Sequence, residues 1–282
     1  MLSQPKRENN TSFWNERRGR MFSRKGGWII GEAVYNHGYS MLDELAGHVS
    51  FFQVLSLNTV GRLVERRFAD WLEALFICLS WPDSRVWCNQ TGSLAGTMQV
   101  SPVAGVCAGI LSSDSRMYGP GCMTAACDFI INALRQTGCG SSAEEIVGLC
   151  SMASPDTPPK VAGYARPVAT GDERIDAMVR VGEMLGVTTG KHLVLAGEIE
   201  KFMKARWGET MNLAGYSAAV FADHGFSSQE TYRLLSCWVN SGIHACYAEA
   251  ADQPPESFFP LHCEDIDYQG KAARPVPACE RS

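Results

Sequence analysis

Apolar residues recur every three to four positions along most of the chain, a spacing typical of helices that bury one face. Residues 63–79 follow it with Phe68, Trp71, Leu72 and Leu75. Further helices are predicted over residues 51–57, 122–134, 175–185, 193–207 and 227–250, and residues 217–222 form a further apolar stretch. No segment alternates between apolar and polar residues over more than a few positions. The predicted fold class is therefore all-α.

Capping and turn residues divide this pattern. One helix is expected to begin at Ser40 and another at Ser141 or Ser142, and a break near Gly242 is expected to interrupt the last one. A β-branched run over residues 28–34 suggests a short extended segment, and the turn signal of residues 36–38 follows it. These positions set the expected boundaries of the helical segments.

Three stretches have an unusual composition. Residues 1–27 are polar and basic but carry Phe13 and Trp14, which predicts an arm that docks on another surface. Small residues dominate 92–109, which predicts helices whose backbones pack closely. Prolines and glycines fill 151–171, and long irregular segments of this kind are often functional, so we interpret this one as a binding loop.

Composition and charge narrow the classes of function. The chain has 282 residues, 45% of them hydrophobic, and a formal net charge of -5, which makes nucleic acid an unlikely partner. No apolar run approaches the roughly 20 residues that a membrane span needs, and no secretory signal precedes the arm. We therefore expect a cytoplasmic protein without a membrane segment.

The cysteines and histidines do not suggest a metal site. Eleven cysteines are present, an odd number in a chain too large to need disulfides, so reduced thiols are expected. No two cysteines have the CxxC spacing, and the six histidines are scattered. No metal is therefore expected.

Four segments, in this order along the chain, carry motifs of one known family: residues 37–51 (HGY…SF), 162–174 (AGYAR…DER), 212–217 (NLAGYS) and 262–268 (HCEDIDY). They resemble the citrate synthase superfamily, including its citryl-CoA lyase branch. The resemblance implies an all-α, citrate synthase-like homodimer whose large helical domain is interrupted by a smaller helical one. The arm would cover residues 1–27, the large domain 28–120 and 225–282, and the small, CoA-recognising domain 121–224.

The resemblance also implies a coenzyme A thioester as substrate and a small carboxylate-bearing molecule as its partner. Citrate synthases use two histidines and one aspartate. The first histidine falls where Tyr118 or Cys122 stands, the second on Arg166, and the aspartate on Ala214. Ala214 cannot take a proton, so citrate synthesis by the usual mechanism is not expected. Tyr118 can donate to an enolate oxygen, whereas Arg166 is permanently charged and suits an anion or oxyanion.

Further residues are candidates for binding. Of the family's substrate-carboxylate arginines, Arg174 is retained, and Ser84 stands where a histidine helps to bind the keto acid. The predicted substrate-binding residues are Ser84, Asp83, Arg85, Arg174 and His262. The predicted coenzyme-binding residues are Val161, Gly163, Tyr164 and Arg166.

Each candidate has a structural alternative. Tyr118 and Cys122 can be packing residues, Arg166 can form a structural salt bridge, and Asp172 can pair with Arg174 or cap the next helix. His262 can lie in an exposed acidic turn. If Cys122 is reactive, its position near a probable helix start would lower its pKa.

Three functions remain open. The first is an enzyme that forms or cleaves a C–C bond of an acyl-CoA by altered chemistry, with Tyr118, Arg166 and Cys122 as candidate catalytic residues. The second is a non-catalytic, CoA-binding or regulatory paralogue. The third is an acyl transferase or thioesterase that uses Cys122.

Overall fold

The computed structural model describes residues 11–115, 118–152, 154, 157–166, 169–187 and 189–276. The described chain is mostly helical, which confirms the predicted all-α class. Its helices are α1 Ser12–Asn15, α2 Phe51–Val60, α3 Arg66–Leu79, α4 Trp87–Thr97, α5 Pro102–Ser113, α6 Pro120–Thr137, α7 Ala143–Gly148, α8 Glu173–Leu185, α9 Lys191–Trp207, α10 Leu213–Asp223, α11 Ser228–Leu235 and α12 Asn240–Ala251.

Residue contacts divide the chain into two compact units. The larger unit comprises Met1–Leu79 and Asp114–Trp238, and the smaller unit comprises Ser80–Ser113 and Val239–Ser282. The domain boundaries that the family resemblance implies remain a prediction.

A small antiparallel sheet lies between α1 and α2 along the chain. Its strands are β1 Gly26–Ile29, β2 Ala33–Asn36 and β3 Tyr39–Ser40, in the order β1-β2-β3, and Gly26 lies opposite Asn36. The extended segment predicted for residues 28–34 is therefore two strands and a turn. The predicted turn at 36–38 is confirmed, with left-handed φ angles of 51° at His37 and 89° at Gly38.

The arm is not packed into the core. Phe13 and Trp14 lie in α1, are 50% and 68% exposed, and contact each other edge to face. The last residues of the predicted arm belong to β1. Phe13 and Trp14 therefore do not dock on another described element, whereas Lys25 near the end of the arm donates to the Asn58 carbonyl of α2.

The core of the larger unit surrounds α10. From Tyr216 to Phe221 every residue of this helix is buried, and the helix packs on α6 and α9. Phe68 of α3 stacks on Trp71 and on Phe226, with ring centroids 5.5 and 5.4 Å apart. Helix α3 packs in turn on α8. The large apolar groups predicted for residues 63–79 thus form the core.

Capping residues explain where several helices begin. Ser142 accepts a hydrogen bond from the Glu145 amide while Glu145 binds the Ser142 amide, which confirms the predicted start of α7. Ser40 accepts from the Asp43 amide at 3.1 Å, and the segment it begins, Met41–Leu45, is a π-helix. Each cap satisfies amide groups that a helix leaves without an internal partner.

The smaller unit packs α4, α5 and α12 closely. A Cβ atom at Gly96 would come within 2.4 Å of the Tyr247 carbonyl oxygen, so this position requires glycine. The close packing predicted for residues 92–109 is confirmed. The helix predicted over 227–250 is interrupted, but the break lies before Gly242, because α11 ends at Leu235 and α12 begins at Asn240. Gly242 lies inside α12, where a Cβ would meet the Trp81 carbonyl oxygen at 2.7 Å.

Within the described residues, no helix is long and apolar enough to cross a membrane. The described part of the chain also contains no cluster of three or more histidine, cysteine or acidic side chains that could hold a metal ion.

Candidate active site

Asp172 lies at the centre of a charged cluster in the larger unit. Its side chain is fully buried, and it caps α8 by accepting from the Arg174 amide at 3.2 Å. Its second carboxylate oxygen accepts from the Leu213 amide at 2.9 Å, at the first residue of α10. One carboxylate therefore joins the amino-terminal ends of two helices.

Arg174 forms a two-point pair with this carboxylate. Its Nε lies 2.7 Å from Asp172 Oδ1, and its Nη2 lies 2.6 Å from Oδ2. Burial would raise the pKa of Asp172, but the hydrogen bonds and charge of Arg174, the Leu213 amide and Arg166 outweigh it and hold the pKa below its usual range. Asp172 is therefore ionised at neutral pH. Asp172 therefore both pairs with Arg174 and caps α8, which are the two structural roles that the sequence suggested for it.

Arg166 is held by the same segment. Its Nη1 donates to Glu173 Oε2 at 2.8 Å and to the Gly171 carbonyl at 3.2 Å, and lies 3.7 Å from Asp172 Oδ1. Its side chain is 17% exposed, whereas that of Glu173 is 78% exposed. The two arginines and the two carboxylates of this segment balance in formal charge.

Tyr118 reaches the cluster from the turn before α6. Its hydroxyl donates to the Leu79 carbonyl at 3.3 Å, at the end of α3. A negative charge on this hydroxyl would help to raise the pKa of Arg174, and the charges of Arg174 and Asp172 both act on the thiol of Cys78. The structure therefore brings Arg166 and Arg174 of one segment together at Asp172, and the charge of Tyr118, from a distant part of the sequence, acts on Arg174. No sequence signal pointed to Cys78.

Cys122 lies in the first turn of α6. Its Sγ atom is 3.6 Å from the Ser115 carbonyl oxygen. Burial and the neighbouring charge of Asp114 raise the pKa of its thiol. The lowered pKa considered for a reactive Cys122 is therefore wrong, because the charge nearby is negative and the site is partly withdrawn from water.

The loop predicted to bind the coenzyme is fastened to the core. Val161, Gly163 and Tyr164 are buried, and the Tyr164 hydroxyl donates to the Ala196 carbonyl at 2.8 Å. Burial and the charge of Glu200 raise the pKa of Tyr164 above its usual range. Gly163 has a φ of 90°, and a Cβ there would lie 2.6 Å from the Gly215 Cα atom. The buried side chains of Val161 and Tyr164 and the close backbone approach at Gly163 thus hold the loop in place.

Ala214 is the second residue of α10, directly after Leu213. The Asn212 side chain caps this helix by accepting from the Gly215 amide at 3.1 Å. The resemblance assigns the family's aspartate to Ala214. This residue follows Leu213, whose amide binds Asp172, and its side chain is only a methyl group.

The other predicted substrate-binding residues belong to the smaller unit. Arg85 pairs with Asp83 through Nη2 and Oδ2 at 2.7 Å, and their side chains are 90% and 23% exposed. The hydrogen bonds of Arg85 lower the pKa of Asp83 well below its usual range. Ser84 lies between these two residues in the loop before α4 and is half-buried.

The described end of the chain places His262 at an exposed turn. Its amide donates to Asp265 Oδ2 at 2.8 Å, just before the short 3₁₀ helix Cys263–Asp265. His262 therefore lies in the exposed acidic turn that was the structural alternative for it.

Comparison with known proteins extends this description. No protein-family model matches the sequence, and no curated protein matches it significantly. Solved structures do match. Citryl-CoA lyase from Hydrogenobacter thermophilus superposes with a TM-score of 0.76 at 23% identity, over 91% of this chain and 97% of that one.

Two further structures are similar. ATP citrate lyase from Methanothrix soehngenii, in complex with citrate and coenzyme A, gives a TM-score of 0.72 at 14% identity over 96% of this chain and 46% of that one. Citrate synthase from Thermoplasma acidophilum, in a ternary complex with carboxymethyl coenzyme A and oxaloacetate, gives 0.61 at 16% identity over 82% of this chain and 60% of that one. The chain has the citrate synthase superfamily fold, as the sequence motifs predicted.

Proposed function

We propose that this protein binds a coenzyme A thioester and forms or cleaves a C–C bond of its acyl group by altered active-site chemistry. The observation that carries the proposal is that Arg166 and Arg174 meet at Asp172, with Tyr118 close enough for its charge to act on Arg174. Tyr118 comes from a separate segment, whereas the two arginines share one, and each of the three residues has the chemistry to hold an oxygen atom or an anion. The superfamily fold supports a substrate of this class.

Each residue has a role in this proposal. Tyr118 donates a hydrogen bond to the thioester oxygen as negative charge develops on it, in place of its present bond to the Leu79 carbonyl. Arg166 binds the carbonyl or carboxylate of the second substrate, and Arg174 contributes positive charge from a position fixed by Asp172. Asp172 acts as a positioning residue.

The proton at the α-carbon needs a base, and no side chain among the described members of this cluster suits that role. Asp172 has a lowered pKa and already accepts bonds from Arg174 and Leu213. Ala214 offers no acceptor. The chemistry therefore differs from that of an enzyme with an aspartate base.

The coenzyme would bind at the loop of residues 161–166 and at Arg166. Because the side chains of Val161 and Tyr164 are buried and Gly163 has none, we assign coenzyme contacts to the loop backbone and to the arginine. Asp83, Ser84, Arg85 and His262 are assigned to substrate binding on the family resemblance alone.

Calorimetric titration with coenzyme A and acetyl-CoA tests this site. Arg166→Ala and Arg174→Lys should each weaken binding about tenfold, because charge-assisted bonds to phosphate or carboxylate are lost or distorted. Arg174→Lys keeps a positive charge beside Asp172 and so protects the fold. Arg180→Ala, on the exposed surface of α8, is the matched control. Binding that neither site variant changes would contradict the proposal.

One observation favours a second candidate, a CoA-binding protein without catalytic activity. Arg166 and Arg174 each already contact a carboxylate, and the position of the family's base is Ala214. Such a protein would bind the coenzyme and leave the acyl group unchanged. The raised pKa of Cys122 weighs against the third candidate, a cysteine-dependent acyl transferase or thioesterase.

We further propose that the protein is a homodimer. Helices α4 and α5, with the C-cap residue of α4, expose large apolar side chains to solvent, which are Trp87, Leu94, Met98, Val103 and Leu111. Apolar surfaces of this kind commonly mark protein interfaces. Light scattering should give a dimer that Val103→Lys combined with Leu111→Lys converts to a monomer, while Met184→Lys on α8 leaves it intact. A monomer at micromolar concentration would contradict this.

A further inference from the structure

A cavity of about 410 Å³ opens in the larger unit, away from the Asp172 cluster. It lies at the start of α3, just beyond the end of α8 and at the turn that follows α10. The Asp172 cluster is at the other ends of these three helices, at Leu79, Glu173 and Leu213. The volume is in the range of small-molecule sites. The proposed function does not use this cavity.

Arg62 at its wall differs from the arginines of the active site. Its Nη2 and Nη1 donate to the carbonyls of His224 and Gly225, at 2.9 and 3.2 Å. Its guanidinium lies over the Phe226 ring, 4.0 Å from the centroid. Arg66, Arg67, Arg85, Arg166 and Arg174 each have a carboxylate within 4.0 Å, and among the described residues Arg62 has none.

The charge of Arg62 is therefore held in place but not neutralised by an ion pair. The guanidinium is half-buried, and neutral carbonyls and an aromatic face orient it. Its charge acts on Glu230 at the start of α11, but that carboxylate is engaged by Ser227. A partly desolvated cation of this kind gains from an anion that completes its coordination.

The rest of the lining adds a second cation and an apolar surface. Arg67 pairs with Glu65, the one acidic residue of the lining, at 2.6 Å, and both side chains are largely exposed. Phe68 and Phe226 form buried aromatic walls, and Val64 and Val187 are half-buried. The lining thus carries a formal charge of +1, from two arginines and one glutamate, without counting His224.

We propose that this cavity binds a small organic anion, a phosphate or carboxylate joined to an aromatic or apolar body. Arg62 and Arg67 bind the anionic group, and the aromatic walls and Val187 contact the apolar body. The site is separate from the coenzyme site, so both can be filled at once.

Phenyl phosphate is the probe for this site, measured by calorimetry on the full chain. We expect it to bind at least about tenfold more tightly than phenol or inorganic phosphate alone, because it supplies both kinds of contact. Arg62→Gln and Arg67→Gln should weaken binding about tenfold. Val187→Trp should abolish it by filling the cavity. Arg66→Gln is the control. Arg66 precedes Arg67 but pairs with Asp70 outside the cavity, so this change should leave binding unchanged.

Arg174→Lys distinguishes this cavity from the coenzyme site. Phenyl phosphate binding that Val187→Trp removes and Arg174→Lys leaves unchanged supports the proposal. Binding that Arg174→Lys weakens and Val187→Trp leaves unchanged would place the probe at the Asp172 cluster and overturn it. The absence of binding at millimolar concentration to a folded protein would overturn it as well.

Discussion

Arg174 and Asp172 are joined by two hydrogen bonds, of 2.7 and 2.6 Å, although the Asp172 side chain is fully buried. The same carboxylate also binds the Leu213 amide. This pair links the segment before α8 to the start of α10, and the proposed active site depends on the pair.

Asp172→Asn should lower the free energy of unfolding by about 2–4 kcal/mol, since it leaves a mostly buried arginine without its partner. The pair Asp83–Arg85 has the same spacing in sequence but an Arg85 side chain that is 90% exposed. Water screens this second pair, so Asp83→Asn should change stability little. Urea unfolding of both variants measures the difference. Equal losses would show that burial does not decide the contribution of the pair.

The stabilisation by Asp172 should depend on pH. Its pKa in the folded protein is lowered, so the folded state binds fewer protons than the unfolded state, in which an aspartate has a pKa of about 4. The contribution is complete above the unfolded pKa and is lost as pH falls through the folded one. Unfolding of the wild type and Asp172→Asn should therefore converge below about pH 4. A difference in unfolding free energy between the two proteins that stays constant down to acid unfolding would contradict the lowered pKa of Asp172.

Gly163→Ala should destabilise the protein by more than about 1 kcal/mol, since alanine is strained at a positive φ. The added Cβ would also meet the Gly215 backbone at 2.6 Å. Gly197→Ala, within α9 and with no atom within 4 Å of the new Cβ, should instead stabilise the protein by about 0.4–1 kcal/mol. Thermal unfolding separates the two. A neutral Gly163→Ala would mean that the loop of residues 161–166 is not fixed at this glycine.

Cys122 should react slowly with iodoacetamide near neutral pH, because burial and Asp114 raise the pKa of its thiol. The exposed Cys107 and Cys139 should be alkylated first. Peptide mass spectrometry after timed alkylation measures the order. Alkylation of Cys122 ahead of the exposed thiols would restore the cysteine-dependent mechanism.

Much of the fold could be predicted from local pattern. Helices such as α3 and α9 follow the apolar spacing, and the Ser142 cap gave the start of α7 correctly. The small sheet was missed as a sheet because strands of two to four residues are too short for alternation to be visible. Gly242 was taken for a helix break, but it serves a close contact with the Trp81 carbonyl that only the tertiary structure creates.

The site could be predicted in part. Family motifs selected Arg166, Arg174 and Tyr118, which the structure brings together. The motifs did not indicate that carboxylates from the same loop already pair with both arginines, because a side chain's partner depends on where the loop folds back. Cys78 lies in a helix of apolar spacing and carries no signal of its own.

Deuterium exchange at the α-carbon of a panel of acyl-CoA thioesters, followed by mass spectrometry, tests the proposed activity most directly, since it requires no knowledge of the second substrate. We predict exchange by the wild type. Tyr118→Phe should abolish it, and Tyr35→Phe, at an exposed position of strand β2, should leave it unchanged. Coenzyme A binding without any exchange, condensation or cleavage across the panel would contradict the enzymatic proposal and favour the non-catalytic one.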